Sequence, residues 1–119
     1  MKNILVIDDD PEIVELLKIR LESHDYVVTC ASDGVAGLTK AKIQKPDLMI
    51  LDIGMPHIDG MRFIKESKNM PELQGIPILV LTAFTDKKEL LLQEGITHYL
   101  IKPYKSDELL NLVEIILQH

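Results

Sequence analysis

The stretch that decides the fold is Ile4-Leu5-Val6-Ile7-Asp8-Asp9-Asp10-Pro11. Four consecutive apolar residues without alternation read as a short strand buried on both faces. Asp10-Pro11 then reads as a helix N-cap followed by proline at the first helical position. Ile13, Leu16, Leu17 and Leu21 follow at helical spacing and make the candidate core stripe of that helix.

The same alternation continues along the chain. Further apolar runs lie at Tyr26 to Cys30, Leu48 to Leu51, Ile78 to Leu81 and Tyr99 to Ile101. Between them, Ser32-Asp33-Gly34 starts a helix carrying Ala36, Leu38, Ala41 and Ile43, which Lys45-Pro46 ends. Asp59-Gly60 opens a third helix, with Met61, Phe63 and Ile64, that stops before Pro71. Thr85 or Asp86 opens a fourth, closed by Gly95. Ser106 caps a fifth, with Leu109, Leu112, Val113 and Ile116 as its core stripe. Five strands alternating with five helices predict an α/β fold: one parallel sheet with helices on both faces. For a chain this short the flavodoxin-like, doubly wound order 2-1-3-4-5 is the leading arrangement.

Bulk composition narrows the class. The 119 residues make one domain, spanning 1–119, and can bury a core without staples. Apolar residues make up 46% and charged residues 27%, an ordinary globular balance. Nineteen acidic residues against 13 Lys and Arg give a net charge of −6. That balance argues against nucleic acid or an anionic membrane as the main partner, because both need a basic face. Cys30 is the only cysteine, so no internal disulfide forms and a reducing compartment fits. No stretch approaches a membrane span and the N-terminal run is too short for a signal peptide, which makes the cytoplasm the expected location.

In doubly wound sheets, ligands gather beyond the carboxyl ends of the strands. Here those ends carry Asp8, Asp9 and Asp10, then Asp52, then Thr82-Ala83, then Lys102-Pro103. Crowded carboxylates call for a hard divalent cation, and magnesium takes oxygen ligands while keeping several waters. A lysine opposite such a cation suggests a doubly charged anion between them, for which phosphoryl is the natural choice. The Thr82 hydroxyl can donate to another phosphoryl oxygen. Taken singly, each residue has a plainer reading: Thr82 as a turn residue, the aspartates and Asp59 as caps, Lys102 as a solvated lysine.

Together, these pieces resemble the receiver domain of two-component response regulators. The resemblance is carried by residues 4–10, by the loop Asp52-Ile53-Gly54-Met55-Pro56-His57-Ile58-Asp59-Gly60, by Thr82-Ala83, and by Tyr99-Leu100-Ile101-Lys102-Pro103, in that order across the whole chain. It implies Asp52 as the phosphoacceptor. It implies a magnesium ion (manganese as a substitute) held by Asp9 and Asp52, by Asp8 mostly through water, and by the backbone carbonyl of Gly54. Lys102 would pair with Asp52 and then with the phosphoryl group. Thr82 would move toward that group while Tyr99 swings inward, re-forming the surface of helix four, strand five and helix five. Lys102-Pro103 resembles the family's cis peptide. The implied partners are a histidine kinase or phosphotransfer protein and a downstream target or separate output domain, with a phosphorylation-linked homodimer through that same surface as the alternative to a monomer.

Some residues depart from the family pattern. Thirteen positions separate Thr82 from Gly95, about two fewer than in the family, so a short or irregular fourth helix is expected. Gly54 and Phe84 sit two residues after Asp52 and Thr82, where the family flanks the path of an attacking water, and neither can orient a water by a hydrogen bond. A long-lived acyl phosphate is therefore expected. Leu90, Leu91 and Leu92 cannot all face one sheet at about 100° per residue. With Leu110 and Leu117 beside the stripe of the last helix, they predict exposed apolar area on that side. The four histidines have no metal-ligand spacing and are expected at the surface.

Two other functions remain to be weighed. A small phosphohydrolase with an aspartyl-phosphate intermediate would carry an acid where Gly54 stands, to protonate a leaving group. A degenerate receiver used only for binding would lack an acid, Thr82 or Lys102, and none is missing. Nucleotide-binding glycine loops are absent from the sequence.

Overall fold

The computed structural model describes residues 1–53, 60–83 and 88–118, apart from the side chains of Lys88 and Leu90. Gly54, Met55, His57, Asp59, Phe84, Thr85, Asp86 and His119 lie outside the described residues.

Five strands and five helices alternate: β1 (Asn3–Ile7), α1 (Pro11–Glu22), β2 (Val27–Ala31), α2 (Gly34–Gln44), β3 (Leu48–Asp52), α3 (Gly60–Lys68), β4 (Ile78–Thr82), α4 (Lys88–Gln93), β5 (His98–Ile101) and α5 (Ser106–Leu117), with a 3-10 turn at Pro71–Leu73. All strand pairs are parallel, in the order β2-β1-β3-β4-β5. The expected doubly wound arrangement is therefore the observed one.

The continuous apolar runs are explained by two cores. Leu5, Ile7, Met49, Leu51 and Val80 point to one face, where Ala41 of α2, Phe63 and Ile64 of α3 and Leu91 of α4 cover them. Ile4, Val6, Leu48, Ile50, Leu79 and Leu81 point to the other, under Leu17 and Leu21 of α1 and Leu109, Val113 and Ile116 of α5. Each such fully buried side chain contributes roughly 1.5–3 kcal/mol of transfer free energy, so the central strands have no room for polar alternation.

Local signals set the helix starts. The Asp10 carboxylate accepts from the Glu12 N–H at 2.9 Å, and Asp33 accepts from the Ala36 N–H at 2.7 Å. Lys45 closes α2 in the left-handed region at φ 48°. At α5 the reading needs correcting. Ser106 is already helical, and Glu108 instead reaches back to accept from the Lys105 N–H at 3.3 Å. That is the glutamate half of a capping box, which needs no side-chain acceptor at the cap itself.

Several core assignments also change. Leu16 is 53% exposed and Ile43 76%. Leu16 lies about 100° from Leu17, and Ile43 about 200° from Ala41, so each falls off the buried stripe. Leu110 and Leu117 flank their stripe and pack half-buried against the core. In the leucine triplet Leu91 is buried and Leu92 exposed. His24 is exposed, and His98, on the edge strand β5, is half-buried.

Candidate functional site

The carboxyl edge of the sheet is extended by one residue beyond its strands. The Asp8 N–H donates to the Ala31 carbonyl at 3.1 Å, Ile53 N–H to Leu81 at 3.1 Å, and Lys102 N–H to Thr82 at 2.8 Å. These bonds continue the parallel ladder and set Asp8, Asp52, Thr82 and Lys102 along one rim. Gly60 opens α3 directly behind that rim. A Cβ there would overlap the Ile53 side chain and come within 3.2 Å of the Ile53 Cα. Only glycine lets α3 pack this closely against the residue that follows Asp52.

The three consecutive aspartates divide their work. Asp10 caps α1. Asp8 is 1% exposed. Its Oδ1 accepts from the Asp10 N–H at 3.0 Å. Its Oδ2, and both carboxylate oxygens of Asp9, are buried with no hydrogen-bond partner among the described residues. Buried acceptors left this way are costly unless a ligand satisfies them. Asp52 is also 1% exposed and forms a buried ion pair with the Lys102 ammonium. Thr82, equally buried, ends the neighbouring strand.

Electrostatics follow from this crowding. Burial, above all, pushes the Asp8 carboxyl up from 3.8 to about 6. The Asp10 N–H pulls it down, the adjacent Asp52 carboxylate raises it further, and Lys102 offsets part of that.

Among the described residues no three His, Cys, Asp or Glu side chains close into a ready-made metal cage. Magnesium does not ask for one: it uses one or two carboxylates and keeps waters. The three orphaned oxygens of Asp8 and Asp9, with Asp8 beside the Asp52 carboxylate, fit such an ion. Gly54, the remaining expected ligand, lies outside the described residues.

Tyr99 of β5 is half-buried against the core face covered by α3 and α4. The Lys102-Pro103 peptide is cis, as the sequence resemblance implied. Two residues not singled out in the sequence also stand near the site. Arg20 of α1 and Tyr104 line a cavity of about 340 Å³ together with Ile13, Leu16, Lys102 and Pro103. Burial first, then the carboxylates of Asp52 and Asp8, raise the Tyr104 hydroxyl above its ordinary value, while Arg20 lowers it. An aromatic residue directly after Lys102-Pro103 was the only signal in the sequence, and adjacency alone does not say which way a side chain turns. A further cavity of about 280 Å³ lies at the opposite, amino edge of the sheet, and no side chain of the site lines it.

The family model of the response regulator receiver domain matches residues 4–114. The chain belongs to this family. The receiver is 40% identical over 98% of its length to the alkaline phosphatase synthesis transcriptional regulatory protein PhoP of Bacillus subtilis. The chain spans about half the length of that relative, 49%. Among solved structures, the receiver matches the chemotaxis protein CheY4 of Vibrio cholerae with a TM-score of 0.90 at 32% identity, covering 98% of this chain and 99% of that one. It matches the response regulator TrrA of Thermotoga maritima, solved in complex with Mg(2+)-BeF, with a TM-score of 0.86 at 36% identity, covering 98% and 100%. Receiver domains are signalling domains of two-component systems, and magnesium binding is a property of the family. In this receiver no helix among the described residues is long and apolar enough to cross a membrane.

Proposed function

We propose that residues 1–119 form one cytoplasmic receiver domain that accepts a phosphoryl group on Asp52 from a histidine kinase or phosphotransfer protein. The observation that carries this reading is the buried Asp52–Lys102 pair beside three orphaned carboxylate oxygens of Asp8 and Asp9. An Asp52 oxygen forms the new bond to phosphorus as the donor's phosphorus–nitrogen bond breaks, its electron pair leaving on the imidazole. Lys102 then turns from Asp52 to the phosphoryl oxygens, and the Thr82 hydroxyl donates to another. Asp8, Asp9, Asp52 and the Gly54 carbonyl would hold magnesium (or manganese), which when bound neutralises charge developing on the phosphoryl group.

The groove between α1 and the β5–α5 loop supports delivery by a protein donor, because it opens onto Lys102 and exposes Leu16. On the other side, Leu92 of α4 and Ile101 of β5 are exposed. They support the α4–β5–α5 face as the switched surface, read by a downstream target or a second copy once Thr82 and Tyr99 have moved.

Intact mass after incubation with a small acyl phosphate tests this reading. A magnesium-dependent gain of one phosphoryl group is expected, absent in Asp52→Asn. Sedimentation of the same phosphorylated sample reads self-association. No gain under any condition would leave the chain as a binding module that keeps the fold and has lost the reaction.

Loss of the phosphoryl group is expected to be slow, since neither Gly54 nor Phe84 can orient a water. Phe84→Glu, which supplies an acceptor for that water, is expected to shorten the acyl-phosphate lifetime by about tenfold or more. Equal decay of the two phosphoproteins, followed by mass over time, would show that position 84 does not set the lifetime.

A further inference from the structure

Lys102 reaches Asp52 from a loop rather than from the sheet itself. Its N–H is tied to Thr82, but beyond that bond the chain leaves β5. Pro103 and Lys105 are exposed, and Tyr104 alone of residues 103–105 is turned inward. It packs against the core face built from Leu17 and Leu21 of α1 and Leu109 of α5. It also walls the groove that Ile13, Leu17 and Arg20 share with Lys102. The carboxylates of Asp52 and Asp8 also act on its hydroxyl.

We infer that Tyr104 is a positioning residue for Lys102: its ring is a wedge between α1 and the loop that carries Lys102, and it sets the direction from which the ammonium reaches Asp52. A lysine stem has several freely rotating bonds, and the Lys102 side chain is 26% exposed, so its own surroundings only partly restrain it. Misplacing a charge-neutralising group by ~1 Å costs up to about a hundredfold in rate. A core-anchored ring two residues along limits that freedom where the loop would otherwise hang on exposed side chains. This inference rests on Lys102 binding the phosphoryl group.

A double-mutant cycle tests it: wild type, Tyr104→Leu, Lys102→Ala and the pair, each phosphorylated by a small acyl phosphate at saturating magnesium. Tyr104→Leu is expected to slow the reaction by about five- to tenfold, with Tyr104→Phe restoring it because the ring remains. In the Lys102→Ala background Tyr104→Leu should change nothing, since a residue that acts through another is silent without it. Magnesium affinity by calorimetry should be unchanged in Tyr104→Leu, because Tyr104 is not among the residues that would hold the ion. A wild-type rate in Tyr104→Leu overturns the inference. So does an equal slowing in both backgrounds, a Phe variant as slow as the Leu variant, or a joint fall of rate and magnesium affinity. Lys102→Ala with an unchanged rate would instead sink the functional reading, and this inference with it. Tyr104→Met takes the place of Tyr104→Leu in the cycle should the latter fail to melt cooperatively.

Discussion

Asp8→Asn is expected to raise the stability of the magnesium-free protein at pH 8 while weakening its magnesium affinity by about tenfold or more. The two effects share one cause. Asp8 is buried beside the Asp52 carboxylate with one oxygen unsatisfied, a poor place for a charge and a good one for a metal-facing ligand. An asparagine amide removes the charge and can donate toward Asp52.

The pH dependence carries the same signature. Asp8 titrates at about 6 in the folded protein against 3.8 as the reference. The folded state therefore holds this proton more tightly than the unfolded chain does. The resulting stabilisation is complete below pH 3.8 and is lost as pH rises through 6. Without magnesium, stability from this group should fall by about 1 kcal/mol between pH 5 and 8. Asp8→Asn should flatten that slope. Magnesium affinity should rise across the same window, because the metal takes the ionised carboxylate. Urea unfolding at pH 5 and pH 8, with and without magnesium, measures all of this. An Asp8→Asn protein less stable than wild type at pH 8 without metal would show that Asp8 is not a repulsive charge in the fold.

Lys102→Met should produce the other large effect. It removes the ammonium that neutralises a carboxylate only 1% exposed, while keeping most of the apolar stem. Breaking one side of a buried ion pair costs roughly 3–5 kcal/mol. Because the Lys102 side chain is 26% exposed, water screens part of this, and about 2 kcal/mol is the expected loss. Phosphorylation should slow by about ten- to a hundredfold, since positioning and charge neutralisation are most of what phosphoryl transfer asks of the protein. Adding Asp52→Asn to Lys102→Met should return the lost stability, because the buried charge is then gone as well. A double variant no more stable than Lys102→Met alone would show that the pair is not what holds this end of the sheet.

Much of this architecture was legible before any coordinates. The run Ile4 to Ile7 could only be a strand covered on both sides, and Asp10-Pro11 and Asp33 announced helix starts that their carboxylates do cap. Strand ends were readable too, since an apolar run stops where the core stops. That placed Asp8, Asp52, Thr82 and Lys102 on one edge without any knowledge of distance.

What failed were readings that depend on how wide a helix's buried stripe is. Leu16 and Ile43 are apolar and within the helical period, yet the sheet covers too narrow an arc to reach them. Leu110 and Leu117 erred the other way, because flanking positions on α5 still touch the core.

The sequence by itself determined the order of elements, the two-sided core and the residue types that stand at the rim, because burial and capping act on neighbours along the chain. Only the tertiary structure decided which aspartate oxygens stay unsatisfied, that the Lys102 ammonium reaches Asp52 across fifty residues, and that Tyr104 turns inward behind it. Those outcomes rest on direction and distance between segments remote in the chain, and no local period encodes either.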